Sequence, residues 1–313
     1  MGARRSDALD PRPYDRPGAD VPLTLRRRAY RCWQDREVIM DIKTILVPFA
    51  RDLHTSAGLS TAIAVARLMG ARLIGLHCPA ETALPWYVAA PAAIPPMADP
   101  PRPDRPSAEA EQSFIARCSA ACLKCDWIAD HGFLPERLAF HSRYADLIVA
   151  GRGDGDPQGK GGLSPSALGQ LVLSASAPLL VVPPGPEETF RPHRVLVAWN
   201  ERREAGRALH GALPFLRHAK ETILLSVHPP GYDDAPDRRA LAYLEAHRIH
   251  ADSRINFAAE FEAPGAILAQ ARTVEADLLV MGAYGHARVF EQALGGATHH
   301  VLESADRPVL MVH

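Results

Sequence analysis

Four glycines stand in two clusters in MGAYGHARVFEQALGGATHHVL, residues 281–302: Gly282, Gly285, Gly295 and Gly296. They follow a strongly apolar run, LLV, of the kind that makes a buried strand. Without a Cβ, glycine lets backbone N–H groups come close to a ligand. A glycine-rich loop after such a strand aims several of these groups at a phosphate. Gly295 and Gly296 then open a helical segment through Ala297 to Glu303, whose first N–H groups face the same anion. The chemistry implied is anion binding by two backbone nests on one ligand. The plain alternative is a set of tight turns.

Other constellations carry less. The loop after Gly151, RGDGDPQGKGGLSPSALGQL, contains Gly159-Lys160-Gly161. A Walker loop requires Gly-x4-Gly-Lys-Ser/Thr, and this chain has Asp154 and Gly161 at the two deciding positions. Asp154 and Asp156 would also repel a phosphate, so the loop reads as degenerate. Cys118, Cys122 and Cys125 have the spacing of an iron–sulfur triad, but the first two fall one turn apart on a predicted helix, Ser107 to Leu123. Packed thiols are the better reading. His286, His299 and His300 lie near the glycine loop, yet adjacent histidines on a helix point about 100° apart. They read as surface or phosphate-facing side chains, and no metal site is assigned. No nucleophile, base and orienting group stand at a supporting spacing. No catalytic residue is therefore assigned, and the chain reads as a binding protein rather than an enzyme.

The elements that would hold the glycine loop occur twice. KTILVPF (43–49), SAGLSTAIAVARLM (56–69) and ARLIGLHC (71–78) alternate strand, helix and strand. A helix near Pro135 to Arg143, the strand ADLIVAG (145–151), a helix near Ser166 to Ser174 and the strand PLLVVP follow. HRVLVAWN then repeats the first strand, REAGRALHGALPFLRH the first helix and TILLSVH the second strand. EADLLVMG repeats YADLIVAG, and RPVLMVH repeats APLLVVP. First strands lie 150 residues apart (Ile45, Val195) and the Ala-Asp pairs 131 apart (Ala145, Ala276); a Pro-rich insertion, residues 79–106, accounts for the difference. The chain is an internal duplication. Alternating strands and helices predict doubly wound α/β domains with parallel sheets. Asp146 and Asp277, at equivalent strand starts away from the carboxyl ends, read as structural.

Residues 1–39 read as a poorly ordered basic tail. Residues 40–185 read as the first domain, with the insertion and the degenerate loop, and residues 186–313 as the second, behind the linker PPGPEETFRP. MDIKTILVPF reads like a start on the first strand. Both copies end on a short apolar strand that would be an exposed sheet edge, so the two are expected to pair and join the copies about an approximate two-fold axis. A net charge of −1 over 313 residues gives no field for nucleic acid. No apolar run is long enough for a membrane helix, and five cysteines without a signal peptide point to the reduced cytoplasm.

The spacing Gly-x2-Gly-x9-Gly within LLVMGAYGHARVFEQALGGATHHVLESADRPVLMV resembles the nucleotide loop of the universal stress protein family. The duplication resembles its tandem bacterial members over about residues 40–313. That resemblance implies two five-stranded sheets ordered 3-2-1-4-5, pairing through the last strands, a stress-response role, and ATP or AMP as ligand, with magnesium beside ATP. It places Asn200 and Val227 near base and ribose and Gly282, Gly285, Gly295 and Gly296 at the phosphates, with His286 and Thr298 adjacent. Two positions depart from the family pattern: Gly296 replaces the usual Ser or Thr, and Asn200 replaces the usual Asp (Ala50 in the first copy). Two other readings stay open, a scaffold that binds no nucleotide and a slow ATP hydrolase. A homodimer beyond the internal pair also stays open.

Overall fold

The computed structural model describes residues 41–49, 57–78, 105–153, 162–185, 190–231, 237–285 and 296–313. Short runs of Val, Ile and Leu with no polar face need cover on both sides, and the chain makes them interior strands between helical layers. The first half runs β1 (Thr44–Pro48), α1 (Ala57–Met69), β2 (Arg72–His77), α2 (Arg105–Ala120), β3 (Cys125–Ala129), α3 (Leu134–His141), β4 (Leu147–Gly151), α4 (Pro165–Ser174) and β5 (Leu179–Val182). The second half repeats it as β6 (Arg194–Trp199), α5 (Arg203–Leu216), β7 (Glu221–His228), α6 (Arg238–Ala246), β8 (Asp252–Phe257), α7 (Ala263–Thr273), β9 (Leu278–Gly282), α8 (Ala297–Ser304) and β10 (Val309–Val312).

These ten strands make one sheet, ordered β3-β2-β1-β4-β5-β10-β9-β6-β7-β8. Each half is parallel in the order 3-2-1-4-5. At the join β5 and β10 run antiparallel, with Val181 opposite Val309, Leu180 opposite Leu310 and Leu179 opposite Met311. The expected architecture is thus present, two doubly wound sheets joined through their last strands. Successive side chains of a strand point to opposite faces, which divides each apolar run between two cores. Ile45, Val47, Leu147, Val149, Val195, Val197 and Leu310 enter one; Leu46, Ile148, Ala150, Leu196, Leu279 and Met281 enter the other.

The two strand-start aspartates do the same job in both halves. Asp146 Oδ2 accepts the N–H groups of Lys43 and Thr44, each at 2.9 Å, and Asp277 Oδ2 accepts that of Arg194 at 2.7 Å. Each carboxylate ties the start of the fourth strand to that of the first, so their role is structural.

Two expectations need correction. Helix α2 begins at Arg105, inside the Pro-rich stretch assigned to 79–106, because Pro106 falls in the first turn, where a missing N–H is not needed. It ends at Ala120 rather than near Leu123, and Cys122 sits beyond it with φ of 57°. Cys118 and Cys122 therefore do not share a helical face. Cys118 is buried, and burial, reinforced by Cys125, pushes its thiol up to about 12, which keeps it protonated and unreactive. Residues 1–39, the stretch 79–104 and the loop piece 154–161 lie outside the described residues. The outer strand β8, DSRINF, whose composition is polar, and helices α6 and α7 were not named from sequence.

The join is testable at its centre. Leu180 and Leu310 are fully buried opposite one another. Each change to Ala is expected to cost about 2–5 kcal/mol in urea unfolding. The double variant should fall short of the sum by at least about 0.5 kcal/mol because the two share one cavity; strict additivity would mean they do not pack together.

Candidate functional site

In an open parallel sheet a crevice forms beyond the strand carboxyl ends where the strand order reverses. In the second half that point lies between β6 and β9, which pair while their helices cover opposite faces. A cavity of about 460 Å³ opens there, within the range of small-molecule sites. Asn200, just after β6, Val227, near the end of β7, Gly282, the last residue of β9, and Gly285, beyond it, all line it. Gly296 is the N-cap of α8, and the next two residues, Ala297 and Thr298, line the cavity from the far side. Gly295 and His286 lie outside the described residues. Among the described residues, no group of three or more His, Cys, Asp or Glu is placed to hold a metal ion.

The side chains differ from expectation in what they do. Asn200 Oδ1 accepts the N–H of Arg202 at 3.2 Å, closing a turn before α5, so the amide NH2 remains to face a ligand. Thr298 is buried, and its Oγ1 accepts the N–H of Tyr284 at 3.0 Å. It fastens the first turn of α8 to the β9 loop. Gly296 offers no capping side chain to α8. His299 stands 3.4 Å from Glu303, one turn along, rather than with His300 on a common ion.

Gly282 has a packing reason that spacing did not disclose. A Cβ there would lie 2.5 Å from the backbone N of Ala205 and from the carbonyl carbon of Glu204, in the first turn of α5. The first half has the same approach from the other partner: a Cβ on Gly58 of α1 would lie 2.8 Å from Gly151 N. Gly285 is freer, since a Cβ there would meet only the ends of side chains, Glu204 Oε2 at 3.2 Å and Arg202 Cδ at 3.5 Å. The two glycines of one motif thus serve different ends, helix packing and loop clearance.

Sequence reasoning missed Arg202 and Glu204. Arg202 lines the cavity and donates from Nη1 to Gly285 O at 3.1 Å. Glu204 is 8% exposed and pairs with Arg203 at 2.9 Å. Burial pushes its carboxyl up, but its own backbone N–H and the Arg203 guanidinium outweigh that and hold it below the usual carboxylate range. The only advance signal was a run of charge, ERRE, directly after a first strand.

In the first half, among the described residues, the chain beyond β4 pairs with itself. Arg152 and Leu163 form a β-bridge, with Gly153 N–H donating to Leu163 O and Leu163 N–H to Gly151 O, both at 2.9 Å. A cavity of about 10 Å³ lies beside this bridge, lined by Gly58, Gly151, Gly162 and Leu163 among others. Helix α4 is also capped, Ser164 Oγ accepting the Ala167 N–H at 3.2 Å.

This is the architecture of a recognised family. Residues 192–313 match the profile of the Universal stress protein family. The second half of the chain is a universal stress protein domain. Solved structures extend the fold across both halves. A universal stress protein from Archaeoglobus fulgidus aligns with a TM-score of 0.63 at 19% identity, over 86% of this chain and 95% of that one. A functionally unknown protein from Pseudomonas aeruginosa aligns with a TM-score of 0.60 at 17% identity, over 87% and 92%. No curated protein matches the chain. At these identities the likeness speaks for the universal stress protein fold in tandem and leaves ligand and role to the site itself.

Two outcomes follow from the geometry. Gly282→Ala should destabilise the protein by about 1–3 kcal/mol in denaturant unfolding, through overpacking against α5, whereas Gly285→Ala should stay within about 0.5 kcal/mol of the parent. Glu204, a carboxyl depressed by folding, stabilises above its unfolded pKa of about 4.3, and that contribution disappears as pH falls through the lower folded value. Glu204→Gln should accordingly lower the melting temperature at pH 7, and the difference should close once both are melted well below pH 4.

Proposed function

We propose that this tandem universal stress protein is a cytoplasmic stress-response module that binds an adenine nucleotide, ATP or AMP, in the crevice of its C-terminal domain, residues 186–313. The N-terminal domain, residues 40–185, serves as its structural partner. The observation that carries the reading is the contrast between two equivalent positions of one sheet. Beyond β4 the described backbone bridges Arg152 to Leu163 and α4 is capped by Ser164. Beyond β9 a cavity of about 460 Å³ stays open, and α8 meets it with no side-chain cap. The first N–H groups of a helix are satisfied by side chains, water or ligand, and a helix N-terminus favours an anion.

In this reading the base and ribose lie toward Asn200 and Val227, with Gly285, Gly295, Gly296 and the first turn of α8 toward the phosphates. Gly282 contributes by letting α5 and the loop come together. Magnesium would accompany ATP on the solvent side. In this reading the role is binding rather than turnover. No described helix is long and apolar enough to cross a membrane.

A second reading, a nucleotide-independent scaffold, draws on the outer edge of the second half. Ile255 and Phe257 of β8 and the following Phe261 are exposed, Phe261 at 84%.

Calorimetric titration of the full chain with AMP, and with ATP and magnesium, separates the two. Saturable binding of at least one nucleotide is expected, lost in Val227→Trp, whose ring would fill the cavity while the variant keeps its circular dichroism. Absence of binding by every adenine nucleotide would leave the scaffold reading in place.

A further inference from the structure

Away from the crevice, the first half carries a surface feature that the fold does not require. Helix α3 packs on α4, α4 on α8 and α8 on α7, so α3 stands at one end of this row. A 3₁₀ turn, Ser142–Tyr144, continues it. Leu138 is fully buried, whereas Phe133, Phe140 and Tyr144 are exposed, Tyr144 at 78%. A helix turns about 100° per residue, so Phe133, Arg137, Phe140 and Tyr144 fall on one outward stripe. On α7, which holds the corresponding place in the second half, the exposed positions include Gly265, Ala269 and Thr273 instead. The same packing is thus met there without aromatic rings.

The stripe is ordered within a single copy. Asp130 Oδ2 accepts from Arg137 Nε at 2.7 Å and Nη2 at 2.6 Å, and lies 2.8 Å from His141 Nε2. Arg137 Cζ then sits 4.7 Å from the centre of the Phe140 ring, and Arg143 Cζ 5.1 Å from the same ring. Side chains already held in place lose less freedom on association. The charge of Arg137 is met by Asp130, so it offers contact rather than net charge. Glu136 and Arg143 differ: both are exposed, and neither has an ion-pair partner among the described residues. They flank the stripe on one side, two turns apart, about 10 Å along the axis and too far to meet each other.

We propose that this stripe is the contact of a symmetric dimer, in which α3 packs antiparallel on α3 of a second copy of this chain. One register sets Phe133 opposite Tyr144 of the second copy and Arg137 opposite Phe140 of the second copy, and the two-fold axis makes each pair twice. The axis also keeps each flank against its own counterpart, which brings Glu136 beside Arg143 of the second copy. That complementarity is what selects the occupant: ring against ring, guanidinium against ring, and two carboxylate–guanidinium pairs at the rim. An interface of one short helix per copy buries less than about 1,200 Å² in total, the range of weak contacts, so monomer and dimer exchange with concentration. The inference stands apart from the nucleotide reading.

Sedimentation velocity of the full chain over a series of concentrations tests it. The parent is expected to pass from monomer to dimer as concentration rises. Glu136→Arg and Arg143→Glu, each checked for unchanged circular dichroism, should each weaken the dimer at least about tenfold, because like charges then face one another at both rims. The double variant Glu136→Arg/Arg143→Glu should regain at least about tenfold over either single variant, since the exchanged charges again face their opposites. A parent that stays monomeric throughout overturns the proposal. A dimer indifferent to both single changes also overturns it, because that dimer forms through another surface. Loss in the single variants without recovery in the double overturns the antiparallel register.

Discussion

Everything in this molecule depends on what becomes of the last strand of each half. A doubly wound sheet ordered 3-2-1-4-5 leaves its fifth strand as an edge, and here both fifth strands are wholly apolar, LLVV and VLMV. Exposed to water, either would present unpaired backbone and hydrophobic side chains together, the combination that leads to aggregation. Antiparallel pairing of β5 with β10 removes both edges at once. It places two half-sheets in one continuous surface, so that neither half has a complete core without the other.

That constraint reaches the two crevices. Arg152, just beyond β4, donates from Nη1 to Leu302 O at 2.8 Å, at the end of α8, and the hydroxyl of Tyr284 occupies the space that a side chain on Gly169 of α4 would need. Each β4-type loop is thus held by the last helix of the opposite half. Within this shared frame the halves have diverged. The first loop pairs with its own chain at Leu163, and beside the second lies the cavity that makes the second half a candidate site. Divergence of this kind costs little stability, because a crevice at the strand ends lies outside the cores that hold the sheet together.

The charge pattern around the second crevice gives the universal stress protein fold a particular character here. A carboxylate takes one helix start, and a glycine leaves another uncapped. The two helix N-termini nearest the loop are therefore not equivalent as anion sites, although the backbone geometry alone would make them so.

Much of this was legible in the text of the chain. The doubled order of strands and helices, the pairing of the last strands and the structural role of Asp146 and Asp277 follow from apolar runs and repeat position, which are local or nearly so. The gathering of Asn200, Val227, Gly282 and Gly285 at one crevice follows from the reversal rule for parallel sheets. What only the tertiary structure decided are contacts between elements: that Gly282 exists for the approach of α5, that Thr298 and Asn200 serve the backbone, that Leu163 bridges to Arg152, and that Glu204 is buried behind Gly285. Polar β8 escaped notice for the related reason that an outer strand buries only part of its surface and so needs little apolar period. Sequence by itself determined which segments must be buried and how often the pattern recurs, because burial writes a period into the residues. It did not determine which loop stays open, because that depends on distances of a few ångströms between segments far apart in the chain.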